Sequence, residues 1–318
     1  MGRPHQLDAS IAERPAIAHS RSSAESLGYL FGFLGVLGFS VSLPAIRASV
    51  PEMGTIFVAL GRTVVAGAFA ATLLYLRRER RPERRYWRGL AISAFGITVG
   101  FPVCTAIALK HVPSTHGAVI IGLMPAATAI FAVLRAGERP PTAFWVACIA
   151  GVISVLVFAA VQGAGRPRFA DLLLLLAVVS AALGYAEGAR IARDLGGWRV
   201  ISWELVLAAP VLAVPVAIDI ALNGVHAGHK AWAGFIYLSI VSMFLAFFAW
   251  YRGLALGGVA KVGQMQLLQP ILTLIWAYLW LSEEIDAWTI AAALLVVGSV
   301  ALSRRSWVTS NAALSLSD

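Results

Sequence analysis

The chain has 318 residues, of which 59% are hydrophobic and 13% charged, with a mean hydropathy of +0.79 and a formal net charge of +9. A soluble domain carries about 45–50% apolar and about 25% charged residues, so this balance excludes a water-soluble single core. Cys104 and Cys148 each stand inside an apolar run and give no disulfide framework.

In chain order, residues 1–26 are polar and mixed in charge, with Pro4, Pro15 and several serines, and are expected to form a disordered extension. This long polar lead, followed by an apolar run longer than a secretory h-region, argues against a cleaved signal peptide. Ten apolar stretches follow, at 28–49, 54–76, 89–109, 115–136, 142–161, 170–194, 198–221, 231–254, 260–281 and 286–303. Each is near the roughly 20 residues that a helix needs to cross the hydrocarbon core. The expected fold is therefore an all-α membrane protein with ten transmembrane helices. Residues 305–318 form a short polar tail.

The basic residues set an expected orientation. With both termini in the cytoplasm, 19 of the 25 Lys and Arg lie on the cytoplasmic side, seven of them between Arg77 and Arg88. Five lie on the opposite side, and Arg62 falls inside a span. That bias over short loops is a positive-inside signal. It places the basic excess against anionic lipid and disfavours nucleic acid as a partner.

The chain also repeats itself. At an offset of 145, Leu123, Pro125, Thr128, Ala132, Leu134 and Glu138 fall on Leu268, Pro270, Thr273, Ala277, Leu279 and Glu283. At an offset of 146, Leu37-Gly38-Phe39 and Arg47 fall on Leu183-Gly184-Tyr185 and Arg193. Two units of five spans lie in opposite senses across a bilayer, because five is odd. This is an inverted-topology repeat, a layout of alternating-access carriers. The expected units are 27–161 and 169–304.

These residues carry a family resemblance. The paired helices Pro125…Glu138 and Pro270…Glu283, Arg62 within Ala59-Leu60-Gly61-Arg62, Phe247-Phe248-Ala249-Trp250-Tyr251, and Gly151 and Gly298 resemble EamA-type carriers of the drug/metabolite transporter superfamily. The resemblance implies a central cavity formed mainly by spans 1, 3, 4, 6, 8 and 9, and export of amino acids, other metabolites or toxic compounds. One departure is Leu37-Gly38-Phe39 in span one, where such proteins often show a Trp-Gly pair.

Charged and polar residues inside spans are costly and become site candidates. Glu187 is expected either to titrate and bind substrate, alongside Tyr185, or to pair with Arg190 at i,i+3. Arg62 is expected to meet a substrate carboxylate or to cap carbonyls of a broken helix. Glu204, near a helix start, has a structural expectation. Gln266 and Gln269 share a helix face and are expected to line the cavity, with Gln264 pointing elsewhere. Trp250 and Tyr251 could stack a planar substrate. Pro44, Pro125 and Pro270 are expected helix breaks that free carbonyls. Glycine pairs four residues apart, such as Gly96 with Gly100 and Gly253 with Gly257, permit close helix contact.

No phosphate-cradling loop with a lysine indicates ATP hydrolysis, and His226 and His229 lack a third metal ligand, so no cofactor and no metal are expected. The leading function is a secondary carrier in the bacterial plasma membrane that exports small metabolites, with proton coupling as one energy source. The alternatives are a drug or toxic-compound efflux carrier and, in a different class, a membrane-embedded lipid-modifying enzyme. The expected partners are a small-molecule substrate and the lipid bilayer.

Overall fold

The computed structural model describes residues 26–136, 168–295 and 297–298, with isolated positions between 142 and 157. Among the described residues all regular structure is helical. Seven helices are long and apolar enough to cross a membrane: α1 (Ser26–Met53), α2 (Phe57–Leu76), α3 (Arg84–Ala108), α4 (Ser114–Phe131), α5 (Phe169–Leu195), α6 (Gly197–Asn223) and α7 (His229–Gly257). They are followed by the shorter apolar α8 (Met265–Leu281) and by α9 over 287–295. Helical backbone after Met124 continues to Ala136. The seven correspond to the first four predicted spans and to the sixth, seventh and eighth. Most of the fifth span, with Glu138 and Gly151, lies outside the described residues, as do residues 1–25 and 299–318.

Burial shows what surrounds the bundle. Only 17% of the most apolar stretch of α6 is buried, and Val211, Val214 and Leu222 are 60–78% exposed. A helix that is apolar outside as well as inside loses nothing when that surface meets hydrocarbon chains, whereas water would penalise it.

The helices approach closely where glycines meet. α1 and α7 run antiparallel, and a Cβ on Gly28 would sit 2.8 Å from the Gly257 nitrogen, while one on Gly253 would sit 2.7 Å from the Gly32 nitrogen. α3 and α5 cross in the same way: Gly96 abuts the Ser180 carbonyl, and a Cβ on Gly184 would lie 2.8 Å from the Ile97 side chain. In lipid, where the hydrophobic effect adds little between helices, such backbone proximity supplies dispersion energy.

Local breaks shape the interior. α1 turns at Val41 and resumes at Ser42. Pro44 has no N–H to return to the Ser40 carbonyl, and the Thr273 hydroxyl of α8 donates to that carbonyl at 2.8 Å instead. α4 is interrupted at Gly122-Leu123, just before Pro125. α8 opens in a 3₁₀ turn, Gly263–Leu268, and becomes α-helical from Gln269, just before Pro270. π-helical turns occur at Phe57–Gly61 in α2, Phe95–Gly100 in α3 and Tyr237–Leu245 in α7. Such turns leave carbonyls outside the regular ladder and widen the helix locally.

Polar ties secure the bundle ends. Arg47 donates to the carbonyls of Leu109 and Lys110 at 2.6 and 3.2 Å, which satisfies the C-terminus of α3. His116 of α4 meets Asp171 of α5 at 2.6 Å with both side chains buried. At the other end Tyr86 bonds Asp194, and Arg199 bonds Glu79.

Candidate functional site

A small central cavity of about 20 Å³ lies where α1, α2, α3, α5, α7 and α8 converge. That is room for about one water molecule. Arg62, Tyr185, Ser42, Ser242 and Gln269 supply its polar wall, and Phe39, Phe101 and Phe247 are among its apolar wall. Arg62, Tyr185 and Gln269 are each at most 7% exposed.

Local structure explains these positions. The π-turn Phe57–Gly61 delivers Arg62 at the start of the following α-helical stretch, and a second π-turn carries Ser242. The Ser242 hydroxyl meets the Ser42 hydroxyl at 2.8 Å, which links α7 to the turn in α1. Gln269 opens the regular part of α8 directly after its 3₁₀ turn and directly before Pro270.

Arg62 dominates the electrostatics. It is fully buried, and its Nε has no hydrogen-bond partner among the described residues. A guanidinium carries five donors in a fixed fork and stays charged, so its best match is a planar carboxylate. Among the described residues no hydrogen bond joins Arg62 to a helix carbonyl.

Aromatic rings back the cavity. The Phe39 and Tyr185 rings lie 6.2 Å apart and nearly parallel, and Phe247 contacts Phe39 edge-on at 4.9 Å. Trp250 packs behind them, 5.7 Å from Tyr185, fully buried, with its indole N–H unpartnered among the described residues. It supports the wall from outside the cavity.

The remaining candidates lie elsewhere. Tyr251 belongs to a separate buried cluster: its hydroxyl is 3.1 Å from Ser93 Oγ and donates to Glu204 Oε2 at 3.3 Å. Glu204 is fully buried, and its Oε1 has no partner among the described residues. Glu187 is 3% exposed and pairs with Arg190 at 3.2 Å, outside the cavity wall. Gln266 is buried with neither amide atom partnered among the described residues, and it too is absent from the cavity wall. Of the two glutamines expected on one helix face, the cavity wall includes Gln269 and not Gln266.

Ser42, Ser242, Ser93 and Phe101 were not singled out in the sequence. Single serines and phenylalanines occur throughout apolar spans, and only the helix crossings select these. Among the described residues no group of three or more His, Cys, Asp or Glu could hold a metal ion.

A bundle of membrane-length helices around a small cavity, with the buried Arg62 and an aromatic wall, fits a multi-pass membrane transporter. The chain belongs to the EamA-like transporter family, which matches residues 26–160 and again 168–305. It is 44% identical over 279 residues to the uncharacterized transporter YdeK of Bacillus subtilis, covering 87% of this chain and 97% of that protein. It is 26% identical over 275 residues to a Streptantibioticus cattleyicolor protein named "Probable terminal-alkyne amino-acid exporter", covering 86% and 91%. The pseudopaline exporter CntI of Pseudomonas aeruginosa is 26% identical over 283 residues, covering 87% and 96%. A solved crystal structure shares the fold, with a TM-score of 0.62 at 21% identity over 89% of this chain and 96% of the other.

Proposed function

We propose that this protein is a secondary carrier that exports small metabolites, amino acids or related carboxylates, across the bacterial plasma membrane by alternating access. In this reading ten helices form two inverted five-helix units, and both termini are cytoplasmic. The paired irregularities support the repeat. The third helix described in each unit, α3 and α7, carries a π-turn, and α4 and α8 each lose regularity just before Pro125 and Pro270. The crossing of α1 with α7 has its counterpart in that of α5 with α3. The arginine bias supports the orientation.

The observation that carries the substrate class is Arg62, a cavity-lining guanidinium whose Nε lacks a protein partner. A carboxylate would complete its hydrogen bonds and offset its charge in a site of low dielectric. The aromatic wall would meet an apolar portion of the same substrate. The exporter names of two relatives are consistent with this class.

Counterflow in proteoliposomes tests the reading. Labelled amino acids inside should exchange with external unlabelled substrate, saturably, and esters of the same compounds should not compete. Arg62→Gln should lower exchange at least tenfold, with Arg62→Lys intermediate because it keeps the charge and loses the fork. Full exchange in Arg62→Gln, or equal competition by esters, would refute a carboxylate held at Arg62.

A further inference from the structure

A second cavity of about 910 Å³ opens at the surface, where the ends of α2 and α5, the start of α6 and the end of α7 meet the start of α1. It shares no lining residue with the central cavity. Four arginines line it, Arg77, Arg193, Arg199 and Arg252, and no acidic residue does.

The arginines are largely uncommitted. Arg77 and Arg193 make no ion pair and no side-chain hydrogen bond among the described residues, and Arg252 lies only over the Phe31 ring at 5.0 Å. Arg199 alone is neutralised, by Glu79 at 2.9 Å. The repeat sharpens the contrast. Arg47, the residue that matches Arg193 at an offset of 146, uses its guanidinium on the carbonyls of Leu109 and Lys110. Its counterpart in the second unit has no such task.

Most of the other lining residues are apolar, among them Leu245 and Leu256, which are 49% and 38% exposed. Three guanidiniums without carboxylates, in one open cavity with a largely apolar lining, match a ligand with a phosphate at one end and hydrocarbon at the other. We propose that this groove binds one anionic phospholipid, with its phosphate among Arg77, Arg193 and Arg252 and an acyl chain along Leu245 and Leu256. Basic pockets between helices at the cytoplasmic leaflet have this chemistry, and the groove lies at the arginine-rich end of the bundle.

Trp198 stands in the wall and provides a reporter. The protein, purified in a neutral detergent, is titrated with dioleoyl phosphatidylglycerol and with dioleoyl phosphatidylcholine, and bound lipid is counted by native mass spectrometry. One phosphatidylglycerol should be retained at about tenfold lower concentration than phosphatidylcholine, since each nearby cation adds appreciably to anionic lipid affinity. The double variant Arg193→Gln/Arg252→Gln should abolish that preference, and Arg85→Gln, outside the groove, should keep it. Brominated phosphatidylglycerol should quench wild-type fluorescence more than that of Trp198→Phe, a readout that does not depend on the arginine variants folding. Equal retention of the two lipids, or an unchanged preference in the double variant, would overturn the proposal. Displacement by glycerol 3-phosphate at concentrations matching the lipid would assign the arginines to a soluble phosphate and also overturn it.

Discussion

The carboxylate of Glu283 accepts the backbone N–H of Thr115 at 2.9 Å, and its second oxygen accepts that of Ser114 at 3.0 Å. One side chain from just beyond α8 thus satisfies two free donors at the N-terminus of α4 and joins the two halves of the chain. Loss of a helix cap costs about 0.5–2 kcal/mol. Glu283→Ala is therefore expected to lower Tm in detergent by several degrees, and Glu283→Gln by less, because one acceptor remains. Identical melting of both variants and wild type would show that the cap contributes nothing.

The α3–α5 crossing has no room for a side chain. A Cβ on Gly96 would collide with the Ser180 carbonyl, which belongs to the backbone and cannot swing aside. Gly96→Val is expected to abolish monodisperse protein in gel filtration. Gly263→Ala, with nothing within 4 Å of its added carbon, should leave the profile unchanged.

Thr273 compensates a proline on another helix. Its hydroxyl takes the Ser40 carbonyl that Pro44 leaves unbonded. Thr273→Val preserves the shape and orphans that carbonyl, at a cost of about 1 kcal/mol, or a fall in Tm of about 2–4 °C. Adding Pro44→Ala restores a backbone donor and should recover part of the loss. A double variant no more stable than Thr273→Val would show that the turn at Val41 keeps this donor out of reach.

A proton-coupled carrier needs a buried carboxyl that can exchange a proton, and Glu187 and Glu204 are both buried. Glu187 already faces Arg190, whose side chain is 56% exposed. Glu204 has one oxygen shared with Tyr251 and the other without a partner, and Ser93 completes the cluster. The isosteric amide keeps the shape and cannot exchange a proton. Glu204→Gln is expected to flatten the pH dependence of counterflow, while Glu187→Gln should retain the wild-type profile at somewhat lower stability. The reverse outcome would return the coupling role to Glu187.

The sequence by itself determined the class of fold. Apolar stretches near 20 residues, punctuated by Pro, Gly and charged breaks, require membrane helices, because an unpaired backbone amide in hydrocarbon is prohibitively costly. The matching Pro125 and Pro270 segments showed the repeat for a similar reason, since a helix break leaves a fixed, local signature. Arg62 was also legible, because a cation within an apolar run stands out against its neighbours.

Only the tertiary structure decided how these residues combine. Gln266 and Gln269 lie three residues apart and both are buried, yet only Gln269 stands in the cavity wall, because the neighbouring helices decide where the cavity opens along α8. Glu204 stood near a helix start, where a dipole could satisfy it, but α3 and α7 bury it against Tyr251. Ser42 and Ser242, 200 residues apart, meet at 2.8 Å because glycines let α1 and α7 touch. Periodicity reports which face of one helix is apolar. It carries no information on which helix that face meets, and in lipid every apolar face has an equally acceptable partner until the close fit of small residues selects one.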